Sequence, residues 1–220
     1  MTALPVAGGL RGPAICGILF AVNFAAGGIL LGELFGSFAD SDATFVEYFE
    51  STSNRNGSAI GGVLLFVSGI ALLPFVSGLV RMLTRERTSW AMELVAPLTY
   101  VVSGLIIASA AALSTVGLAR VFADITDESA APFQGSSIAV LPQFGYVLMV
   151  FASWTMAVLL SIVASASMRT RAMPRAVGIV TIVCAVMLVL APSGLALVGA
   201  PVWGLVTAIS MLRRRTAAAV

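Results

Sequence analysis

The sequence predicts an all-α polytopic membrane protein, one bundle of about six transmembrane helices, and three observations carry this. Its 220 residues are 59% hydrophobic and only 10% charged, where a soluble domain carries roughly 25% charged residues. The mean hydropathy is +1.04. Six stretches, at 13–36, 60–82, 96–119, 141–167, 176–192 and 195–212, approach the roughly 20 apolar residues that cross a hydrocarbon core of about 30 Å. With so little charge available to cover a globule, lipid is the expected solvent for most of the surface.

The first span follows Arg11, and Ser37-Phe38-Ala39 resembles a cleavage site. Its apolar run is longer than the roughly 7–15 residues of a signal peptide, so a retained helix is expected. The second span carries Pro74 and the last carries Pro201, each removing a backbone donor and bending its helix. The fifth and sixth spans are short and meet across Pro192-Ser193-Gly194, which predicts a tight helical hairpin. The whole chain, 1–220, reads as one membrane domain. Phe38-Ala39-Asp40 recurs as Phe122-Ala123-Asp124, a faint parallel repeat with two spans per unit.

Arginine placement predicts the topology. The chain has no Lys and no His, so all 12 basic residues are Arg. Ten of them (Arg11; Arg81, Arg85, Arg87; Arg169, Arg171, Arg175; Arg213, Arg214, Arg215) fall on one side if the spans alternate. The other side receives Arg55 and Arg120 with eight acids: Glu33, Asp40, Asp42, Glu47, Glu50, Asp124, Asp127 and Glu128. The positive-inside rule then places both termini in the cytoplasm. The longer acidic connections, 37–59 and 120–140, become extracytoplasmic. In the first of them Thr44 and Glu47 have the spacing of a capping box. A short helix there would lay Phe45, Val46, Tyr48 and Phe49 along the membrane surface; the alternative is a loop.

Candidate functional residues are few. No ionisable group lies mid-membrane, which argues against a proton-coupled pump. Glu33 and Arg120 close their spans at the same level and are a candidate ion pair or head-group site. Asn23, near the middle of the first span, needs a partner because an unpaired amide in hydrocarbon costs several kcal/mol. An interhelical hydrogen bond or a cavity shared with Tyr100, Gln143 and Tyr146 would supply one. Gly28, Gly32 and Gly36 recur every four residues and predict a close helix-packing face, as do Gly104, Ala108 and Ala112. Cys16 and Cys184 read as small buried hydrophobes. A chain without His has no imidazole for a triad or an ordinary zinc site. No catalytic motif is present, and no metal, cofactor or nucleic acid is expected.

Two stretches carry a resemblance. Arg-Gly-Pro-Ala-Ile-Cys-Gly-Ile-Leu-Phe, from Arg11 to Phe20, and Met-Pro-Arg-Ala-Val-Gly, from Met173 to Gly178, resemble segments of the DUF4386-type family of bacterial polytopic membrane proteins. The resemblance covers about 16 residues together with the layout of spans. This chain lacks a His in its fourth span, where members of that family carry one. The resemblance implies a helical membrane protein and no known activity.

The leading expectation is therefore a non-enzymatic, multi-pass protein of a bacterial inner membrane. Arg-only basic usage and the wealth of Ala, Gly and Val suggest the bacterial source. Its bundle would bind a lipid, another membrane protein or a second copy of itself, with the acidic loops as recognition surface. The alternative is a small transporter or channel for a neutral or apolar solute, and a membrane enzyme without a recognisable motif comes third.

Overall fold

The computed structural model describes residues 10–32, 34, 42–84, 90–126, 137–170 and 173–217. All of the regular structure is helical: α1 (Arg11–Leu30), α2 (Asp42–Glu50), α3 (Thr52–Leu83), α4 (Trp90–Glu93), α5 (Val95–Thr126), α6 (Ser137–Thr170), α7 (Arg175–Val189) and α8 (Ala196–Ala217), with a 3-10 turn at Ala191–Ser193. Helix is what an apolar chain must form in lipid, because only helices and closed barrels satisfy every backbone group internally.

The spans pack as a ring. Each of α1, α3, α5, α6, α7 and α8 lies against the next in that order, and α8 returns to α1. Ile15, Val22 and Ile29 of α1, Ile60 and Val63 of α3, and Val183 of α7 are among the apolar side chains that face outward, each about half exposed or more. Apolar belts of this extent face lipid rather than water. α1, α3, α5, α6 and α8 are long and apolar enough to cross a membrane. Arg11 and Val95 begin α1 and α5 at the offset of the Phe-Ala-Asp repeat.

Three expectations change. α3, α5 and α6 run well past their predicted spans. At 32, 32 and 34 residues they reach about 48–51 Å, longer than the roughly 40–45 Å of a bilayer with its head groups. Their polar ends stay helical because neighbouring helices support them. α2 is a helix, as one reading of the acidic loop predicts, but it starts at Asp42, before the capping box. Phe45 and Phe49 are buried in the bundle rather than spread on the membrane surface. The sequon-like Asn56-Gly57-Ser58 lies inside α3, with the Ser58 hydroxyl buried and donating to the Leu113 carbonyl at 3.0 Å.

The remaining change is at α7, which has 15 residues rather than the expected 176–192. That is about 22 Å, too short for a full crossing. The turn that follows holds Gly194 at φ 80°, a left-handed conformation suited to glycine. The carbonyls stranded by this early stop find partners. The indole Nε1–H of Trp154 donates to Val189 O at 3.1 Å, and the Tyr146 hydroxyl to Pro192 O at 3.2 Å. Trp154→Phe combined with Tyr146→Phe should cost roughly 0.6–1.7 kcal/mol per bond. Faster amide exchange confined to residues 186–199 would be the signature, and unchanged exchange there would dismiss this role.

Buried serines join the central spans. Ser103 Oγ donates to Gly69 O at 2.5 Å, linking α5 to α3, and Ser109 Oγ to Gly145 O at 2.7 Å, linking α5 to α6. In each case the acceptor is a glycine, whose missing side chain lets the hydroxyl reach the backbone.

Candidate functional site

Among the described residues, charged and polar side chains gather where α3 and α5 project past the apolar zone and α2 crosses the ends of α3 and α6. Gly117, Arg120 and Asp124 are spaced i, i+3 and i+7, so they share one face of α5. Thr52, Arg55 and Ser58 do the same on α3. The helices come close at Gly117, where a Cβ would stand 2.9 Å from Arg55 O and 3.1 Å from Ser58 Cβ. That approach brings Arg55 to Asp124, 3.1 Å apart, while the same guanidinium donates to Thr52 Oγ1 at 3.0 Å. Arg120 donates to Phe49 O at 3.0 Å, capping the C-terminal end of α2 where the helix dipole favours a cation.

This cluster braces the head of the bundle. Arg55 is 17% exposed and Asp124 57%, so their ion pair contributes at most about 1 kcal/mol and acts mainly on position. The Nε atoms of both arginines are buried without a hydrogen-bond partner, a cost accepted where α2 is held down. Arg120→Ala should release α2 and weaken its attachment by about 1.5–3 kcal/mol, the range for a bond from a charged donor. The check is hydrogen exchange: residues 45–50 should speed up while α1 and α8 do not.

The head exposes acids on α2 and apolar groups on α5. Glu47 and Glu50 are exposed on α2. Phe122 is 62% and Ile125 73% exposed on the last turns of α5.

The interior is occupied by rings. Trp203 is fully buried, with Phe75 at 5.2 Å and 57° and Phe20 at 6.3 Å and 76° between ring centroids. Glycines admit these rings: a Cβ at Gly17 would lie 2.6 Å from the Phe75 ring, and one at Gly204 2.9 Å from Phe20. Trp203 Nε1 and Thr207 Oγ1, one turn apart on α8, are buried without partners. Cavities open at the perimeter instead: about 270 Å³ between α3 and α5, about 410 Å³ between α6 and α7, and about 40 Å³ at the tip of the α7–α8 hairpin.

The residues singled out from the sequence do not converge. Asn23 bonds Leu19 O of its own helix at 2.8 Å rather than a neighbouring span; short polar side chains readily back-bond in this way. Tyr100 lines the α3–α5 cavity near the end of α3 that carries Arg81. Tyr146 lies towards the other end of the bundle, against the hairpin, with Gln143 partly buried on the same helix. Glu33 and Gly36 lie outside the described residues, so the pairing of Glu33 with Arg120 is not described; Arg120 itself goes to Phe49.

Within the glycine repeat the positions differ. A Cβ at Gly28 would stand 2.8 Å from Leu197 Cδ2 of α8, while Gly32 faces open space, because α1 is regular only to Leu30. A second close approach, this one to backbone, is one residue away: a Cβ at Gly27 would be 2.8 Å from Gly61 O of α3. Gly104 likewise has open space around it.

Fold and site together define an all-α, polytopic membrane bundle with ring-filled centre and a braced polar head. Comparison with protein-family models, with curated proteins and with solved structures gives no match.

Proposed function

We propose that this chain is a non-enzymatic membrane subunit that binds a protein partner through the head formed by α2 and the projecting ends of α3 and α5. The observation that carries the reading is the exposure of Phe122 and Ile125 on the last turns of α5, in a head whose helix α2 separately exposes Glu47 and Glu50 and which stands clear of the hydrocarbon. Exposed apolar anchors in an acidic head suit docking of a protein segment with basic residues of its own. The brace from Arg55 and Arg120 presents that surface in a fixed shape, which lowers the ordering cost of association.

The orientation belongs to the same proposal. The arginine-rich end lies in the cytoplasm of a bacterial cell and the head faces outward across the inner membrane, in keeping with the positive-inside rule. The DUF4386-type resemblance is compatible with this and assigns no activity. A transporter of neutral or apolar solutes would draw support from a polar passage beside Asn23. The amide is instead held by its own helix, and Trp203, Phe20 and Phe75 fill the middle.

Native mass spectrometry of the protein, extracted gently from its own membrane, tests the reading. A stoichiometric protein partner is expected, and it should be lost in the Phe122→Glu, Ile125→Glu double variant. A protomer or homo-oligomer that carries no other protein under the mildest extraction would overturn it.

A further inference from the structure

We infer a second site, at the opposite end of the bundle from the proposed partner surface: the groove between α3 and α5 holds an anionic phospholipid, with its phosphate on Arg81. The groove has a volume of about 270 Å³ and is lined by Leu73, Val76, Val80, Ala96 and Tyr100, with Arg81 at its rim. Leu73 to Arg81 is two turns of α3, about 12 Å along the axis. The walls are therefore apolar for most of a lipid tail's first segment, and a cation stands where the tail would meet its head group.

The polar groups sort themselves in a way that fits an amphiphile. Ser77 and Thr99 also line the groove, but their hydroxyls are committed to their own helices, Ser77 to Leu73 O at 2.8 Å and Thr99 to Val95 O at 2.6 Å. That leaves Arg81 and Tyr100 as the groups free to meet a ligand. Arg81 is exposed in the last turn of α3, and among the described residues no carboxylate pairs with it. Tyr100 is 67% exposed on the facing helix, an amphipathic ring of the kind enriched where acyl chains give way to head groups.

Charge complementarity selects the occupant. Basic pockets between spans recognise anionic head groups, and each arginine near an anionic surface contributes about 1 kcal/mol, or roughly fivefold in affinity. A guanidinium also matches a phosphate bidentately, which a zwitterionic lipid's own ammonium group opposes. The small side chain of Ala96 keeps the groove open on the α5 side.

The test is native mass spectrometry of the purified full-length protein titrated with phosphatidylglycerol or with phosphatidylcholine of the same chain length. Wild type should retain phosphatidylglycerol adducts in preference. Arg81→Gln should cut that retention about fivefold. Ala96→Phe, which fills the groove and keeps the charge, should cut retention of both lipids. Arg169→Gln removes an arginine at the same end but outside the groove, so it should leave the preference intact. Equal retention of the two lipids by wild type would overturn the inference, as would equal losses in Arg81→Gln and Arg169→Gln. Partner capture at the head is untouched by either result.

Discussion

Replacing Trp203 by Ala should lower the unfolding free energy by about 3–5 kcal/mol, the range for removing a buried large aromatic side chain. The loss is expected at the upper end because Trp203 contacts rings from two other helices, Phe20 on α1 and Phe75 on α3. Its removal therefore leaves a void that three spans share. Trp203→Phe should cost much less, since the indole N–H has no hydrogen-bond partner to lose. Unfolding in a mild detergent, followed by tryptophan-independent circular dichroism, measures both. If the Phe variant were as unstable as the Ala variant, the N–H would have to be engaged after all, and the interior would be wetter than its packing indicates.

Gly62→Val should be among the most disruptive single changes on α3. A Cβ at this position would run into the Cβ of Ser114 and lie 3.1 Å from Ala110 O. Both obstacles are rigid: one is the root of a side chain and the other is backbone. α3 and α5 cannot part to relieve the clash without breaking Ser58 to Leu113 on one side or Ser103 to Gly69 on the other. Overpacking of this kind costs about 1–3 kcal/mol and sometimes more. The prediction is loss of a monodisperse bundle on size exclusion, or a thermal midpoint well below wild type. Gly104→Val, on α5 with open space around it, is the matched control and should behave like wild type.

Much of the architecture was legible in hydropathy alone, because the spans differ so sharply from the acidic and arginine-rich segments between them. What hydropathy could not supply was direction. A soluble helix announces its buried face by polarity, whereas helices such as α1 and α7 are apolar all round, and nothing in that pattern distinguishes lipid from protein. Trp203 sits within the last predicted span, yet nothing in the pattern marked it as the centre of an aromatic cluster. The same blindness hid the backbone approach at Gly27, about 100° round the helix from Gly28.

Helix ends misled for a different reason. Thr52–Gly57 and Arg120–Thr126 are too polar to register as spans, but α2 and the arginine brace keep them helical. α7 stops early because Pro192 and Gly194 favour a turn, and Trp154 and Tyr146 are in place to satisfy its carbonyls. The head cluster itself had a signal that was passed over. Gly117, Arg120 and Asp124 at i, i+3, i+7 and Thr52, Arg55 and Ser58 at i, i+3, i+6 mark two faces suited to each other.

The closure of the ring by α8 against α1 has a consequence for how the protein is made. Gly17 and Phe20 of α1 pack against Ala208, Trp203 and Gly204 of α8, so α1 waits for α8 before this flank is covered. Synthesis at about 5–20 residues per second makes that wait roughly ten to thirty seconds. Throughout it, one seam of the nascent bundle stands open to lipid, to insertion factors and to other unfinished chains. A ribosome that stalls before Ala196 leaves a product without α8 and with Phe20 unprotected, and such a fragment should be a preferred target of membrane quality control.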